Sequence, residues 1–130
     1  MKLYKAPKWL LKYLGKEDRL TIQCSNFLKA NKILFHHTFN EGKRTRTMQE
    51  KLKGFGVFTG IPDILILQPS GLYVGLAIEL KVVYDSGQKN RLSPNQKEAQ
   101  KIMSQHKWKW ITVYNIDDFM SEVKNSFQKK

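Results

Sequence analysis

Two apolar runs that follow each other in the chain constrain its fold more than any other feature. Residues 64–67 and 73–78 are almost continuously apolar, and a Pro-Ser-Gly sequence at residues 69–71 lies between them. Turn residues between two such runs predict a β-hairpin. Polar residues do not alternate with apolar ones inside the runs, which is typical of strands covered on both faces by helices. The chain is therefore expected to build its core around a buried hairpin.

Three charged residues interrupt this apolar hairpin. Asp63 directly precedes the first run, and Glu79 and Lys81 stand at the end of the second. If a three- or five-residue loop is centred on Gly71, the numbers of opposed residues sum to 142. Asp63 then stands opposite Glu79, with Lys81 on the same face. A two-residue turn would shift the register by one residue and separate these groups.

The predicted pairing has a chemical consequence. Two opposed carboxylates about 5 Å apart at their Cβ atoms repel each other unless one is protonated or a cation bridges them. Oxygen ligands without His or Cys suit Mg²⁺ or Mn²⁺. Gly75 and Ala77 share the face and are small, so we expect room above the hairpin. A divalent ion beside a lysine suits the charge that develops on a phosphate, which indicates phosphodiester hydrolysis.

Helical and strand patterns flank the hairpin on both sides. Ser93 suits a helix N-cap, Pro94 the first helical position and Gln96 the return bond of a capping box. The basic, glycine-containing residues 40–60 form a connection long enough to be partly helical. The sequence predicts an α/β fold, a mixed sheet flanked by helices in the order αβββαβα. Helices are predicted over residues 18–31, from residue 93 onward and over 116–127, and further strands over 33–39 and 110–114.

Composition limits the partners and the compartment. The 130 residues contain 23 Lys and Arg against 11 Asp and Glu, a net charge of +12, which favours a polyanion such as nucleic acid. The one cysteine, Cys24, excludes a disulfide framework and a CxxC-type zinc site, and it fits a reducing compartment. We expect a cytoplasmic protein without a membrane-spanning segment.

We expect one folded domain over residues 17–127 and a frayed tail at 128–130, because no repeat or linker divides the chain. Residues 1–16 form a basic N-terminal extension that contains Trp9 and Tyr13 among lysines. Such an extension suits a helix lying on a membrane or a nucleic acid, or a short helix packed on the body. The packed arrangement is the favoured interpretation.

The charged residues also belong to a known pattern. Ile-Pro-Asp at residues 61–63 followed by Glu-Leu-Lys at 79–81 resembles the signature of PD-(D/E)XK nucleases, and the surroundings resemble their small VRR-NUC branch. The segments HTFNEGKR, KGFGVFTG and LSPNQ occur in the order of that branch, and the resemblance covers about residues 17 to 115.

The resemblance implies a metal-dependent nuclease with a PD-(D/E)XK core. In that family pattern Asp63, Glu79 and the backbone carbonyl of Leu80 bind Mg²⁺ or Mn²⁺, and Lys81 positions or activates the attacking water. No organic cofactor is expected.

Further residues match the family pattern less closely. The family often has an acidic residue on its first helix and a glutamine shortly after it, and Glu17 and Gln23 correspond with a wider spacing. Gln96 matches better, on a helix expected to lie over the hairpin. Basic side chains beside the site are expected to contact a phosphate backbone. They are Lys43, Arg44, Arg46, Lys51, Lys53, Lys89 and Arg91.

Within that family, free-standing domains of this size resemble Holliday junction resolvases and pair as homodimers. The resemblance therefore implies a homodimer that cuts structured or branched DNA in phage or bacterial replication and repair. A non-catalytic basic nucleic-acid-binding domain and a small restriction-type endonuclease are the alternative functions.

Each functional assignment has a structural alternative. Glu79 and Lys81 would also suit an ion pair on an edge strand, and Gln96 a helix cap without other role. The adjacent His36 and His37 point to opposite faces of a strand, so core or surface positions are favoured over a metal site. Core packing is likewise favoured over base stacking for three aromatic residues near the C-terminus. They are Trp108, Trp110 and Tyr114.

Overall fold

The computed structural model describes residues 2–39 and 45–127. From α2 onward the elements follow the predicted order αβββαβα, with α3 added between β1 and β2 in the connection expected to be partly helical. Within the described ranges each helix is too short or too polar to span a lipid bilayer. The elements are α1 (Lys8–Leu11), α2 (Lys16–Ala30), β1 (Phe35–His37), α3 (Arg46–Gly54), β2 (Ile64–Ile66), β3 (Gly75–Leu80), α4 (Pro94–Gln105), β4 (Trp108–Val113) and α5 (Ile116–Phe127).

The four strands form one mixed sheet in the order β1-β2-β3-β4. The β1–β2 and β2–β3 pairs are antiparallel, and β3–β4 is parallel. The parallel pair needs a crossover connection, which α4 provides. The prediction of an α/β fold with a mixed sheet flanked by helices is therefore confirmed.

The register of the β2–β3 hairpin agrees with the predicted sum of 142. Ile64 stands opposite Ile78, and Ile66 stands opposite Leu76. Continued by one residue, this register places Asp63 opposite Glu79. Register fixes which face a side chain occupies, so the hairpin brings the two acids to the same face.

The loop that joins the two strands differs from the prediction. Ser70 and Tyr73 form a mutually hydrogen-bonded backbone pair, which leaves a two-residue turn with Gly71 at φ +59° in its first position. A positive φ at that position is what a type II′ turn requires. The register survives because three residues, 67–69, lie opposite two, 74–75, between this turn and the strand pairing. The extra residue on one side compensates for the shorter turn.

The main core lies on one face of the sheet. Leu76, Ile78 and Leu80 alternate along β3 and are fully buried there. The apolar side of α2 packs against them together with α5 and β4, and these residues form one cluster. The buried partners are Leu20, Cys24, Leu28, Ile111, Val113, Phe119 and Val123.

Helix α4 covers the opposite face, where Ala99 and Met103 are buried outside that cluster. The expectation of open space above Gly75 is wrong. A Cβ added there would lie 2.5 Å from the Ile66 carbonyl oxygen and 2.7 Å from the Trp108 ring. Trp108 thus fills the space, in agreement with core packing for this residue, and a cavity lies farther along the face, beside Glu79.

The N-terminal extension lies against α2. Helix α1 has no buried residue, and Trp9 and Tyr13 are 68% and 67% exposed. Polar bonds hold the segment instead. Tyr4 exchanges two backbone hydrogen bonds of 2.8 Å with the Asn26 side chain, and Arg19 donates to two carbonyls of the extension. Its lysine-rich sequence offers too few apolar positions on one side to bury a helix face.

Candidate active site

The hairpin end that carries the acids opens into a cavity of about 350 Å³. Asp63, Glu79 and Lys81 all line it, so the structure brings together the three residues at which the sequence predicts chemistry. The cavity lies between the ends of β1–β3, the start of α2 and the N-terminus of α4. Its other lining residues are Glu17, Thr21, His37, Thr38, Thr59, Gly60, Ile61, Ser93, Asn95 and Gln96.

Asp63 is held between two strands. Its Oδ2 accepts a hydrogen bond of 2.8 Å from the Leu80 backbone N–H, and its carbonyl oxygen accepts one of 2.7 Å from the Thr38 N–H. Pro62, directly before it, is fully buried. These contacts fix the carboxylate at the start of β2 without side-chain partners from a lysine or arginine among the described residues.

Glu79 is the buried acid of the pair, with 4% of its surface exposed. Its Oε1 accepts a hydrogen bond of 2.9 Å from Gln96 Nε2 and lies 3.7 Å from Lys81 Nζ. Its Oε2 is buried and has no hydrogen-bond partner among the described residues. Burial and then the neighbouring Asp63 carboxylate raise the pKa of Glu79 to about 8, against the opposing effect of Lys81. A buried oxygen without a partner is costly and needs a proton or a cation.

Gln96 joins the site to the start of α4. Its Oε1 accepts hydrogen bonds from Lys81 Nζ at 3.0 Å and from the Ser93 backbone N–H at 2.9 Å. The predicted capping box is therefore present, with Ser93 as N-cap. The side chain caps the helix and also orients both charged groups of β3, so capping is not its only role.

Strand β3 lies between β2 and β4. The alternative placed the Glu79–Lys81 ion pair on an edge strand, and this is wrong because β3 is an internal strand. Lys81, 8% exposed, and Glu79 are both buried, and a buried pair costs more to desolvate than an exposed one. An ion pair that served stability alone is a poor explanation for such a site.

Gly60 sets the distance between the loop before β2 and the start of α4. It adopts φ +85°, and an added Cβ would lie 2.5 Å from the Asn95 carbonyl oxygen. Both the backbone conformation and the close approach require glycine. This contact encloses the cavity on the side of Gln96.

The donor set fits a hard divalent cation. Among the described residues no group of three or more His, Cys, Asp or Glu side chains is arranged to hold a metal ion. Mg²⁺, however, is commonly held by one or two carboxylates, with water and substrate oxygens completing its shell. The unpartnered Glu79 Oε2 beside Asp63 is the observation that such an ion would explain.

Comparison with solved structures supports the same interpretation of the fold. A structure named VRR_NUC domain protein matches with a TM-score of 0.71 over 88% of this chain and 90% of that chain, at 24% sequence identity. The chain has a VRR-NUC fold. The resemblance seen in the sequence motifs is thereby confirmed at the level of the fold. Comparison with protein-family models and with curated proteins finds no match.

The structure places Glu17 and Gln23, which match the family pattern less closely, in different locations. Glu17, at the start of α2, lines the cavity with Asp63. Gln23 lies less than two turns later on the exposed side of α2 and lines another cavity, beside Val82 and Ile116. The structure therefore does not bring Gln23 to the site. Two side chains six residues apart on a helix lie about 120° apart around its axis, which accounts for the difference.

His37 is a cavity residue that the sequence analysis did not assign to the site. It pairs with Ile64 across β1 and β2, next to Asp63. The register between these strands depends on a connection of more than twenty residues, so the hydrophobic pattern alone does not reveal it. The sequence signal that could have placed His37 at the site is its position at the start of the VRR-NUC-like segment HTFNEGKR.

Five of the predicted phosphate-contacting residues are described by the structure, and they lie outside the cavity lining. Arg46, Lys51 and Lys53 are exposed on α3. Lys89 and Arg91 lie between β3 and α4, with the Lys89 ammonium 5.2 Å from the Tyr114 ring. The predicted contacts at Lys43 and Arg44 fall outside the described residues.

Proposed function

We propose that this protein is a metal-dependent nuclease that hydrolyses phosphodiester bonds in DNA, with a PD-(D/E)XK-type core. The observation that carries the proposal is the buried Glu79 carboxylate. One of its oxygens lacks a partner among the described residues, and it shares a cavity with Asp63 and Lys81. The VRR-NUC fold adds support, since the matched structure covers nearly the whole chain.

Asp63, Glu79 and the backbone carbonyl of Leu80 are the proposed ligands of Mg²⁺ or Mn²⁺. When bound, such an ion supplies positive charge that lowers the pKa of a water molecule and attracts a phosphate oxygen. The Asp63 carboxylate is already oriented by the Leu80 N–H, so the ligand set is preorganised.

Lys81 and Gln96 act on the substrate side of this arrangement. The Lys81 ammonium lies in the cavity and is directed by the Gln96 carbonyl oxygen, where it orients the attacking water or stabilises charge on the phosphate. Gln96 is a positioning residue, because it bonds to both Glu79 and Lys81. Glu17 is a further supporting acid at the mouth of the cavity.

The charge distribution supports DNA as the substrate. The net charge of +12 and the exposed cations of α3 provide the electrostatic attraction that a phosphate backbone requires. Branched DNA and a homodimer are proposed by analogy with small free-standing nuclease domains. Two copies would place a cutting site on each of two strands.

The decisive experiment compares the wild type with Asp63→Ala and Glu79→Gln on supercoiled plasmid and on a four-way junction, in Mg²⁺, Mn²⁺ and EDTA. We expect cleavage by the wild type with metal and a loss of at least about 100-fold in both variants. Asp117→Ala, an exposed acid on α5, is the matched control and is expected to cleave normally.

Other outcomes identify the alternatives. DNA binding that weakens with salt, without cleavage under any metal, would establish a non-catalytic binder. Cleavage at fixed sequences of linear DNA would establish a restriction-type enzyme. Calorimetric titration of Mn²⁺ into wild type and Glu79→Gln tests the metal site without relying on activity, and light scattering measures the oligomeric state.

A further inference from the structure

The N-terminal extension, residues 2–16, is a feature that the proposed active site does not use. It contains five lysines and no acidic residue. Two of its aromatic side chains are exposed for about two thirds of their surface, Trp9 at 68% and Tyr13 at 67%. Exposed aromatic rings among cations are typical of surfaces that bind nucleic acid. The lysines are Lys2, Lys5, Lys8, Lys12 and Lys16.

The rings are exposed although their backbone is anchored. Asn26 holds the extension through two hydrogen bonds to Tyr4, and the Arg19 guanidinium donates to the Leu11 and Leu14 carbonyls at 2.8 and 3.1 Å. The segment is therefore fixed against α2 by polar contacts while the Trp9 and Tyr13 side chains face solvent. A preformed surface of this kind loses little conformational entropy when a ligand covers it.

The chemistry of the surface favours single-stranded nucleic acid over a lipid bilayer. Every base has a π-face that stacks on an aromatic ring, and the lysines other than Lys16, which is paired with Asp85, neutralise the phosphates between the bases. The Lys12 ammonium lies over one face of the Tyr13 ring, 5.1 Å from its centre, where it adds positive charge and leaves the other face for a base. An interfacial helix needs a long amphipathic face, whereas α1 has four residues.

The extension is also close to the active-site cavity along the chain. Tyr13 precedes Glu17, which lines the cavity, by four residues. Four residues span at most about 14 Å, which is about four nucleotides of a stacked strand. A strand whose phosphate lies in the cavity therefore reaches Tyr13 within a few nucleotides.

We propose that residues 2–16 bind an unpaired segment of the substrate next to the cleavage site, with bases stacked on Trp9 and Tyr13. This inference rests on the proposed function and narrows it, because it selects substrates that contain single-stranded DNA beside a cut site.

The test measures binding in EDTA, where no cleavage occurs. A fluorescent oligo-dT of 20 nucleotides and a blunt duplex of 20 base pairs are titrated with wild type, Trp9→Ala/Tyr13→Ala, Trp9→Phe/Tyr13→Phe and the control Leu72→Ala. Leu72 is 93% exposed at the hairpin tip, at the strand ends away from Asp63. We expect the double alanine variant to bind oligo-dT at least about tenfold more weakly and the duplex nearly unchanged. The phenylalanine variant and Leu72→Ala should bind like the wild type.

Intrinsic fluorescence gives an independent readout. Of the three tryptophans, Trp9 is the most exposed, so oligo-dT should quench the emission of the wild type and not that of Trp9→Phe. Binding of vesicles containing anionic lipid, with no preference for oligo-dT, would overturn the proposal in favour of a membrane surface.

The two proposals fail in different ways. Metal-dependent cleavage with equal oligo-dT binding by wild type and the double alanine variant would overturn only the role of the extension. Selective oligo-dT binding through Trp9 and Tyr13 without any cleavage would overturn the nuclease and keep the binding surface. Absence of nucleic-acid binding would overturn both.

Discussion

The Glu79 carboxyl group is buried in surroundings that do not solvate its negative charge. Burial and the adjacent Asp63 raise its pKa from an ordinary 4.5 to about 8, so the metal-free protein holds a proton there that the unfolded chain releases at neutral pH. The folded state binds this proton more tightly. The contribution of the group to the free energy of unfolding is therefore fully present below pH 4.5 and is lost as the pH rises through 8.

This linkage predicts a pH-dependent stability that depends on one side chain. In EDTA, urea denaturation of the wild type should show a free energy of unfolding that falls by on the order of 3 kcal/mol between about pH 5 and 9, relative to Glu79→Gln. Adding Mg²⁺ or Mn²⁺ at about pH 8 should stabilise the wild type and leave the variant unchanged. Parallel pH profiles for the two proteins would show that Glu79 is not the titrating group.

Gln96 connects helix capping to the orientation of the charged pair. The Gln96→Ala substitution removes the return bond of the capping box and leaves Glu79 Oε1 and Lys81 Nζ without their amide partner. We expect the stability to fall by about 2 kcal/mol, measured by urea denaturation, and the DNA cleavage rate to fall by about tenfold or more.

Gln105→Ala, at the exposed end of the same helix, controls for the change in helix composition and should be nearly neutral. Gln96→Glu separates the two roles, because a carboxylate keeps the acceptor for Ser93 and Lys81 but lacks the Nε2 donor to Glu79. Wild-type cleavage by Gln96→Ala would show that the residue only caps the helix.

At the scale of elements, the β2–β3 hairpin shows what sequence patterns can predict. The apolar runs and the charges at their ends indicated the two strands, and an assumed longer loop centred on Gly71 gave the register that puts Asp63 opposite Glu79 on one face. The turn did not follow, since a two-residue turn and a three-against-two segment give the same register as a longer loop. A shorter turn and an extra residue in one strand have opposite effects on the register. The hydrophobic pattern does not distinguish this combination from a longer loop.

Features that depend on distant contacts were less predictable. The Trp108 ring occupies the space above Gly75, because β4 pairs with β3 in a register that only the folded sheet determines. For the same reason the sequence did not reveal that His37 lines the cavity and that Gln23 lies outside it. By contrast, the Ser93-Pro94-Gln96 capping pattern and the final helix agree with prediction, since their signals are local.

Gly60 permits a test of how tightly two elements must approach. Gly60→Ala combines a residue forced into φ +85° with a Cβ placed 2.5 Å from the Asn95 carbonyl, whereas Gly56→Ala has φ +82° and open space. We expect Gly56→Ala to reduce stability by about 1 kcal/mol and Gly60→Ala to reduce it by more than about 2 kcal/mol. Thermal denaturation measures the stability of both variants. Because both glycines have a positive φ, the difference between the two losses isolates the steric contact with the Asn95 carbonyl. Equal reductions would show that α4 shifts away from the loop freely.

At the scale of the whole molecule, the cations that give the net charge of +12 lie on more than one surface. The cations of α3 lie on an exposed helix that follows β1 and precedes β2 in the chain. The ends of these two strands border the cavity. Lys107 and Lys109 line a cavity beside the hairpin turn at residues 70–73, at the other end of β2 and β3. If DNA lies across the active site, equal reductions of charge at these two locations should differ in effect.

The last prediction uses that difference. The triple variant Arg46→Gln/Lys51→Gln/Lys53→Gln should weaken duplex binding and reduce the slope of log K against log salt by about 1 for each phosphate that the variant no longer neutralises. The control Lys107→Gln/Lys109→Gln/Lys124→Gln removes the same charge from other surfaces and should shift affinity slightly without changing the slope as much. Fluorescence anisotropy at salt concentrations of about 50 to 300 mM measures both. Equal slopes for the two triple variants would mean that DNA senses only the net charge, and that α3 does not contact its backbone.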